Sequence, residues 1–251
     1  MTHRINTYFW TSVFLLLALL SLFASIPVWL FAFPVVFWFI ISFWGSFNIN
    51  SQYHLKAFCG KKGETRKIVS ITFDDGPHRE TVKILDILKK HEIKATFFCI
   101  GKNARSHPQI LQRIVADGHT IGNHTWSHSP LIDFFGRQRI YEELMQTDNF
   151  LSDFTKQKIS YFRPPYGVTN PRIAYAVERL GHRVIGWNIR SLDTVIKSEH
   201  AIFNRIRKRI SPGGIVLLHD TNPRAAKVLE MTIKYLHDNN YQIVPLEELM
   251  K

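Results

Sequence analysis

Two adjacent carboxylates, Asp74 and Asp75, are the first residues along the chain with an evident capacity for chemistry. They follow the run KIVSITF, residues 67–73, whose apolar and β-branched side chains predict a buried strand. Neighbouring acids repel each other, so something must balance their charge. One interpretation is a solvated turn, because Asp-Gly is a strong turn signal. The other is a bound cation, with one Asp as its ligand and the other free for different work.

Two histidines four residues apart, His124 and His128, offer further ligands in the segment HTWSH. On one helical turn or in a tight loop, this spacing lets both imidazoles face a single ion. Taken alone, such a pair is more often two unrelated polar histidines. Together with one Asp from the neighbouring strand end, it forms a three-ligand set that leaves positions open for water, as catalytic zinc sites do. The ion would also balance the paired carboxylates.

Strand and helix patterns alternate from residue 67 to residue 250, which predicts βα units and a parallel sheet, open or closed to a barrel. Helix patterns cover residues 80–92, 107–119, 136–154, 170–182, 200–210 and 225–240, and strand patterns lie between them. Parallel α/β folds build their sites at the C-terminal ends of the strands. The ionisable residues at or just beyond those ends are Asp74, Asp75, His124, Arg163, Asp193, His219 and Asp220.

The N-terminal segment has a different character, because no Asp, Glu, Lys or Arg lies between Arg4 and Lys56. The almost wholly apolar stretch from residue 9 to residue 44 would form a single helix of roughly 54 Å, too long for a ~30 Å hydrocarbon core without extreme tilt. Pro27 near its middle favours a break. We therefore predict a membrane anchor over residues 1–45, with two short transmembrane helices at about 8–25 and 28–44. A single signal-anchor helix is the alternative.

Charge bears on the orientation of that anchor and on the partners of the chain. The net charge is +12, and without Arg4 the chain carries 31 Lys and Arg against 20 Asp and Glu, or +11. A basic linker, residues 46–65, follows the anchor, so a hairpin with both ends in the cytoplasm satisfies the positive-inside tendency. The positive charge of the domain favours binding to an anionic lipid surface or an acidic polymer. Nucleic acid is a weaker option, because the sequence has no nucleic-acid-binding motif. We predict an integral membrane protein that binds no nucleic acid.

Four motifs occur in order: TFDDGP, HTWSH, RPPYG and LLHD. In sequence and spacing they resemble the polysaccharide deacetylases with the NodB homology domain, carbohydrate esterase family 4, over residues 67–249. The resemblance implies a distorted (β/α) barrel of parallel strands, here residues 66–251. It also implies a hydrolase that uses one divalent metal ion, expected to be zinc, to remove N-acetyl groups from the amino sugars of a glycan. The acetylated glycan is the expected partner, and the family's function favours an extracytoplasmic domain, against the charge pattern.

The same resemblance assigns roles by position. It implies that Asp74 is the general base, that Arg163 holds Asp74, and that His219 is the general acid. Asp75, His124 and His128 become the metal ligands. The backbone N–H of Tyr166 would complete an oxyanion hole with the metal. These roles match what amide hydrolysis needs: a nucleophile, a stabilised oxyanion and a protonated leaving nitrogen.

One motif departs from the family pattern of Asp-x-x-Asp-Trp. The segment RSLDT has Arg190 at the position of the first Asp and Thr194 at that of the Trp, while Asp193 remains able to orient or tune His219. Because Arg190 is positive, we expect it to disfavour the imidazolium form of His219. The sequence leaves open which poly- or oligosaccharide is the substrate, how long it is and whether it is a lipid-linked glycan, which a cytoplasmic domain would favour over a wall polymer. Removal of O-acetyl groups by the same site and a membrane-bound glycan-binding protein without turnover are the alternative functions.

Overall fold

The computed structural model describes residues 2–251 and contains one sheet of nine strands, all paired in parallel. The strands are β1 (Ala57–Phe58), β2 (Ile68–Asp74), β3 (Thr96–Cys99), β4 (Thr120–Asn123), β5 (Tyr161–Phe162), β6 (Arg183–Ile185), β7 (Ile189–Arg190), β8 (Gly214–His219) and β9 (Gln242–Ile243). Their order is β1-β6-β5-β4-β3-β2-β8-β7, and β9 also pairs with β2. The sheet is a curled half-barrel, so the prediction of a distorted (β/α) barrel is confirmed.

Helices connect the strands and cover the sheet. They are α1 (His3–Leu20), α2 (Ala32–Phe47), α3 (Thr81–Lys90), α4 (Gly101–Ser106), α5 (Pro108–Ala116), α6 (Arg137–Thr155), α7 (Pro171–Leu180), α8 (Glu199–Arg207), α9 (Ala225–Asp238) and α10 (Leu246–Leu249). Helix α7 shows how local sequence sets the bounds. Asn170 caps the N–H groups of Arg172 and Ile173, Pro171 occupies the first helical position, and Gly181 ends the helix at a φ of 71°.

Strand β2 is the centre of the domain, and all seven of its residues are buried. Alternate side chains point to opposite faces, so Phe73 packs with Phe97 of β3 in the largest core cluster while its neighbours face the other side. A strand with both faces covered has a nearly continuous apolar sequence, which is why residues 67–73 predict a buried strand so clearly. The same strand delivers Asp74 to the C-terminal edge of the sheet.

The structure differs from the sequence-based element boundaries at three places. The stretch between the helix patterns 170–182 and 200–210 predicts one strand, over residues 183–189, but the structure has two, β6 and β7. At the break, the carbonyl groups of Ile185 and Gly186 accept hydrogen bonds from Arg163. The short helix α4 was not predicted. Strand β1 lies within the predicted linker 46–65 and pairs with β6 at the edge of the sheet.

Before the sheet, α1 and α2 pack against each other in antiparallel fashion, with a turn at residues 21–27 and a 3-10 helix over Val28–Phe31 between them. A contact between Trp10 and Phe37 joins the two helices, and one between Phe14 and Phe31 joins α1 to the 3-10 helix. One helical segment, Val28–Phe47, is long and apolar enough to cross a membrane. The helix pair occupies the predicted anchor region, and its insertion in a membrane stays a prediction.

Candidate active site

The site lies at the C-terminal edge of the sheet, where β2 and β8 end side by side. Asp74 and His219 are partners in the register of these two strands. Because adjacent strands are about 4.8 Å apart, this register fixes a carboxylate and an imidazole on neighbouring backbones. The two motifs TFDDGP and LLHD, which lie far apart in sequence, therefore meet through parallel pairing alone.

A fully buried guanidinium holds Asp74. Arg163 has no exposed surface, and its Nη1 donates to Asp74 Oδ1 at 2.7 Å and to Thr72 Oγ1 at 2.8 Å. Its Nε and Nη2 donate to the carbonyl oxygens of Ile185 and Gly186 at 3.1 and 2.9 Å. A buried charge needs this degree of pairing and hydrogen bonding to be tolerated. The arrangement keeps one oxygen of Asp74, Oδ2, clear of the ion pair.

Arg163 is also flanked by aromatic rings. Its guanidinium carbon lies 4.1 Å from the centroid of Phe98 and 5.5 Å from that of Trp187. A planar guanidinium stacks well on such rings, which lysine would not do. Neither Thr72 nor the two aromatic residues was identified from the sequence, because each has an apolar or strand-forming role that conceals its contact with Arg163.

Asp75, His124 and His128 converge on one point. Asp75 Oδ1 lies 3.4 Å from His124 Nε2 and 3.5 Å from His128 Nε2. The three ligand atoms all lie within 4.8 Å of one another. Two ligands that are each about 2.1 Å from a tetrahedral zinc ion are about 3.4 Å apart, so the set fits such an ion. The donor types, two nitrogens and one carboxylate oxygen, are those of catalytic zinc sites.

The surroundings orient His124 for this task. Its Nδ1 lies 2.7 Å from the carbonyl oxygen of Arg163, which is an acceptor only, so Nδ1 carries the proton and Nε2 presents its lone pair. Without a metal, His124 is positively charged when its Nε2 is also protonated. Burial and that charge lower the pKa of His128 to about 4, which keeps the His128 imidazole neutral. Although burial raises the pKa of Asp75, the hydrogen bond and charge of His124 lower it to about 2.

A glutamate from helix α6 fixes the loop that carries the two histidines. Glu143 accepts hydrogen bonds from the backbone N–H and the hydroxyl of Ser127 at 2.7 and 2.8 Å. Asn123 accepts from the N–H of Thr125 at 2.7 Å and anchors the start of the loop. Sequence reasoning missed both residues, since nothing in the spacing of Glu143 indicates that it reaches this loop.

His219 is paired with Asp193. Its Nδ1 lies 2.7 Å from Asp193 Oδ1, and its backbone N–H donates to Oδ2 at 2.8 Å. Burial lowers the pKa of His219, but the hydrogen bond and charge of Asp193, with Asp74 and Asp75 adding to them, raise it to about 9. Overall the imidazolium form is favoured, against the expectation drawn from Arg190. Arg190 lies 5.9 Å from the Trp187 ring, and the carboxylates control the imidazole.

The RPPYG loop contributes a backbone donor. Pro164 and Pro165 have no N–H, and among residues 2–251 the N–H of Tyr166 has no protein acceptor. The Tyr166 ring packs edge-on against His128, with centroids 4.8 Å apart. The residue with the first free N–H of the loop therefore packs its ring against a candidate metal ligand.

Backbone strain marks the same region. Asp75, His128 and Tyr166 have positive φ values of 79°, 47° and 59°, a conformation that L-residues rarely adopt. Such residues persist only where the surrounding structure determines them, and they cluster at functional sites. No sequence pattern signals these values.

Asp220 is a further buried carboxyl next to the site. Its Oδ2 accepts a hydrogen bond from Thr81 at 2.7 Å, and burial, with the charges of Asp75 and Asp74, raises its pKa to about 7. A Cβ on Gly76 would overlap this carboxyl, so the glycine of TFDDGP is needed for the close approach.

Comparison with known proteins gives a family. The sequence model of the polysaccharide deacetylase family matches residues 61–185. Peptidoglycan-N-acetylglucosamine deacetylase PgdA of Listeria monocytogenes is 32% identical over 189 residues, which are 75% of this chain and 40% of that protein. The chain thus spans less than half of that relative. Peptidoglycan-N-acetylmuramic acid deacetylase PdaA of Bacillus subtilis is 33% identical over 194 residues, 75% of this chain and 73% of the relative.

Solved structures agree with the fold. Bacillus subtilis PdaA, described as a family 4 carbohydrate esterase, superposes with a TM-score of 0.69 at 30% identity, over 77% of this chain and 83% of that one. BA3943 of Bacillus anthracis superposes with a TM-score of 0.72 at 25% identity, over 80% of this chain and 71% of that one. The latter is described as a pseudoenzyme of the same family. Fold alone therefore does not decide whether a member turns over substrate.

Proposed function

The chain belongs to the polysaccharide deacetylase family, carbohydrate esterase family 4, and on that basis we propose that it hydrolyses N-acetyl groups on the amino sugars of a glycan. The observation that carries the proposal is the meeting of two sets of groups at one edge of the sheet. One set is the candidate metal ligands Asp75, His124 and His128, and the other is Asp74 and His219 on paired strands. Its relatives PgdA and PdaA are named as peptidoglycan deacetylases, which supports an acetylated glycan as substrate.

Asp75, His124 and His128 would hold the metal ion. When bound, the ion supplies a Lewis acid that polarises the acetyl carbonyl and lowers the pKa of a water molecule. The protein prepares for it by presenting two neutral imidazoles and one carboxylate. Asp74 stays outside this set, because Arg163 binds one of its oxygens and His124 Nε2 is 4.0 Å from the other.

Asp74 is the proposed general base. Its Oδ2 is free to take the proton from the attacking water while Oδ1 stays bound to Arg163. The guanidinium also fixes the plane of the carboxylate, since a hydrogen-bonded Arg–carboxylate pair defines orientation as well as charge. Proton transfer from water therefore needs no rearrangement of the buried pair.

His219 is the proposed general acid, and the N–H of Tyr166 the proposed oxyanion donor. A pKa of about 9 keeps His219 protonated at neutral pH, so it can donate a proton from Nε2 to the departing nitrogen. Asp193 binds Nδ1 and leaves Nε2 directed away from that ion pair. The Tyr166 N–H, next to His128, would donate to the oxygen that becomes negative as the carbonyl is attacked.

The proposal can be tested through the metal and the base. We expect the purified chain in detergent to bind about one zinc ion by elemental analysis and to release acetate from an N-acetylated chitooligosaccharide or peptidoglycan fragments. His124→Ala should lose the metal and the activity, whereas Asp74→Asn should keep the metal and lose the activity. If Asp74→Asn loses the metal instead, the roles of the two acids are reversed.

A metal-loaded wild-type protein that binds these glycans but releases no acetate would identify a glycan-binding protein, as BA3943 is described as a pseudoenzyme. Release of acetate from O-acetylated but not N-acetylated glycans would identify an esterase. Both outcomes contradict the proposed N-deacetylase and leave the metal site in place.

We further propose that the α1–α2 pair is a membrane hairpin with both chain ends on the cytoplasmic side. The uncharged residues 5–55 and the apolar segment Val28–Phe47 support this proposal. In a Cys59→Ser background, Ser25→Cys in the turn should react with a membrane-impermeant maleimide in intact cells. Lys62→Cys should react only after permeabilisation. Labelling of Lys62→Cys in intact cells would indicate a single span with an exported domain.

A further inference from the structure

A cavity of about 280 Å³ lies between the end of the apolar helix and the candidate active site. Phe47, the last residue of α2, lies on one side, and Tyr166 and Trp187 lie on another. Three arginines complete the lining: Arg190, Arg205 and Arg209. We call this space the arginine cavity. Its lining contains no Asp or Glu.

Hydrogen bonds from side chains to backbone carbonyl oxygens connect the three arginines. Arg205 Nε donates to the carbonyl oxygen of Arg190 at 2.9 Å, and Arg209 Nη1 donates to that of Arg205 at 3.3 Å. Arg205 and Arg209 are four residues apart, so they lie on the same side of the chain as helix α8 ends. Three like charges brought together in this way repel one another unless an anion joins them.

The described residues supply no such anion. Across residues 2–251, no carboxylate lies within ion-pair distance of any of the three guanidinium groups. Partial burial, together with the charges of Arg209 and Arg190, lowers the pKa of Arg205. A bound anion would reverse the effect of those charges.

The departure at RSLDT adds an independent observation. Arg190 stands where the resemblance to the family leads us to expect an aspartate, so the charge at this position differs by two units. An acidic residue at this position would bring a negative charge next to Arg205, whose Nε binds the backbone carbonyl oxygen of residue 190. With arginine, the same wall of the site is cationic throughout.

The cavity adjoins the site where acetyl groups would be removed. Tyr166 lines the cavity, and its ring packs against His128 with ring centroids 4.8 Å apart. The N–H of Thr169 donates to the carbonyl oxygen of Ser46 at 2.9 Å, which ties the end of α2 to the loop that carries Tyr166. An anion in the cavity would therefore lie beside both the reacting sugar and the apolar helix.

We propose that the arginine cavity binds the phosphate or diphosphate group of the acetylated substrate, and that this substrate is a glycan linked through phosphate to a lipid. The inference rests on the proposed deacetylase function. Guanidinium groups bind phosphate oxygens through paired hydrogen bonds. The exposed side chains of Phe43, Trp44 and Phe47 on α2 offer an apolar surface next to the phosphate for the lipid chain.

The test uses the full-length metal-loaded protein in neutral detergent and three synthetic substrates. These are methyl N-acetylglucosaminide, N-acetylglucosamine 1-(methyl phosphate) and N-acetylglucosamine 1-(decyl phosphate), with kcat/KM taken from acetate release. We expect the methyl phosphate to exceed the neutral glycoside by about tenfold or more, and the decyl phosphate to exceed the methyl phosphate. Arg205→Gln/Arg209→Gln should bring the ratio of methyl phosphate to neutral glycoside close to one.

Arg207→Gln is the matched control, because Arg207 is exposed on the same helix and does not line the cavity. It should keep the wild-type ratio. Equal kcat/KM values for the neutral and phosphorylated sugars in wild type would overturn the phosphate subsite. A phosphate preference without a gain from the decyl chain would overturn the lipid linkage and leave a phosphate-bearing soluble glycan.

Failure of the deacetylase proposal is recognised separately. If no acetate is released from any of the three sugars, calorimetric titration with glucose 1-phosphate tests the cavity alone. Wild type and Arg207→Gln should bind it about tenfold or more tightly than Arg205→Gln/Arg209→Gln. Equal binding by all three proteins would contradict the inference. If the double variant instead loses only its binding to phosphatidylglycerol vesicles, the cavity binds lipid headgroups and the proposal is wrong.

Discussion

Two buried polar clusters in this chain differ in charge: one contains an ion pair, and the other contains only neutral groups. The rim cluster, formed by Asp74, Arg163 and Thr72, buries a full ion pair under the edge of the sheet. The hairpin cluster, formed by Asn6, Ser42 and Tyr53, joins α1 and α2 to the linker through neutral groups. Asn6 Nδ2 donates to the Tyr53 hydroxyl at 2.6 Å, and that hydroxyl lies 2.8 Å from Ser42 Oγ.

The difference follows from what lies outside each cluster. Only four of the exposed large apolar side chains of the described residues lie after residue 47: Leu131, Phe134, Tyr166 and Val195. Around the hairpin cluster the surface is almost entirely apolar, so an unpaired charge there would be costly in a membrane. The rim cluster lies next to the candidate metal ligands, where the proposed function needs a charged base. The comparison predicts that changes at the rim affect catalysis most, and that changes in the hairpin affect stability alone.

The largest expected effect is on turnover, from His219→Gln. Glutamine keeps size and polarity but has no proton to give near neutral pH, so hydrolysis of the acetamide should slow by about 10²–10⁴-fold. An activated aryl acetate has a good leaving group and should be far less affected. The fold should be unchanged by circular dichroism. Equal losses on amide and aryl ester, with metal content unchanged, would reassign His219 to substrate positioning.

The sequence predicts the rim well because parallel strands place their C-terminal ends together. From that rule and the motifs, Asp74, Asp75, His124 and His219 were expected on one edge, and the structure brings them there. The positive φ of Asp75 could not be predicted, because tertiary contacts impose it. The break between β6 and β7 was not predicted either, and the carbonyl groups there bind Arg163, which comes from a distant motif.

Other features were not predicted because the local helix propensity of the sequence does not match the structure. Helix α4 begins at Gly101, and glycine is a poor helix former. The glycine is needed because a Cβ at this position would overlap the Trp126 ring. The hydrogen bond from Arg205 to the backbone carbonyl of Arg190 could not be predicted either, since the sequence does not reveal which strand a side chain of α8 reaches.

The second effect is on stability, from Arg163→Met. Removing the guanidinium leaves Asp74 buried without its partner, which costs about 3–5 kcal/mol. Urea unfolding of the full chain in fixed detergent should measure this loss, while Arg207→Met on the exposed face of α8 should change stability by less than about 0.5 kcal/mol. The double variant Arg163→Met/Asp74→Leu should recover part of the loss, because it removes the unpaired charge. No recovery would mean that Arg163 stabilises the fold through the carbonyls of Ile185 and Gly186 instead.

The third effect is a dependence of stability on pH. The pKa of His219 in the fold is about 9, above its ordinary value of about 6.5, so the charged form is favoured by folding. This contribution is fully present below about pH 6.5 and is lost as the pH rises through about 9. It amounts to roughly 2–3 kcal/mol in metal-free protein. Wild type should therefore lose more stability than His219→Gln between pH 6.5 and pH 9.5. Parallel pH curves for the two proteins would show that Asp193 does not stabilise the imidazolium.

The smallest effect concerns the hairpin cluster, from Tyr53→Phe. The ring is retained, so it still packs over Gly45, where a Cβ would overlap it. Only the hydroxyl is lost, and Asn6 Nδ2 keeps acceptors in the carbonyl of Trp38 and in Ser42 Oγ, both at 3.3 Å. Because no charge is left unpaired, the loss should be only about 1 kcal/mol in urea unfolding, with acetate release and metal content unchanged. Gly45→Ala displaces the ring and should cost more than Tyr53→Phe. A tenfold fall in kcat/KM for Tyr53→Phe would show that the helix pair positions the active site, and the separation between the two clusters would then be wrong.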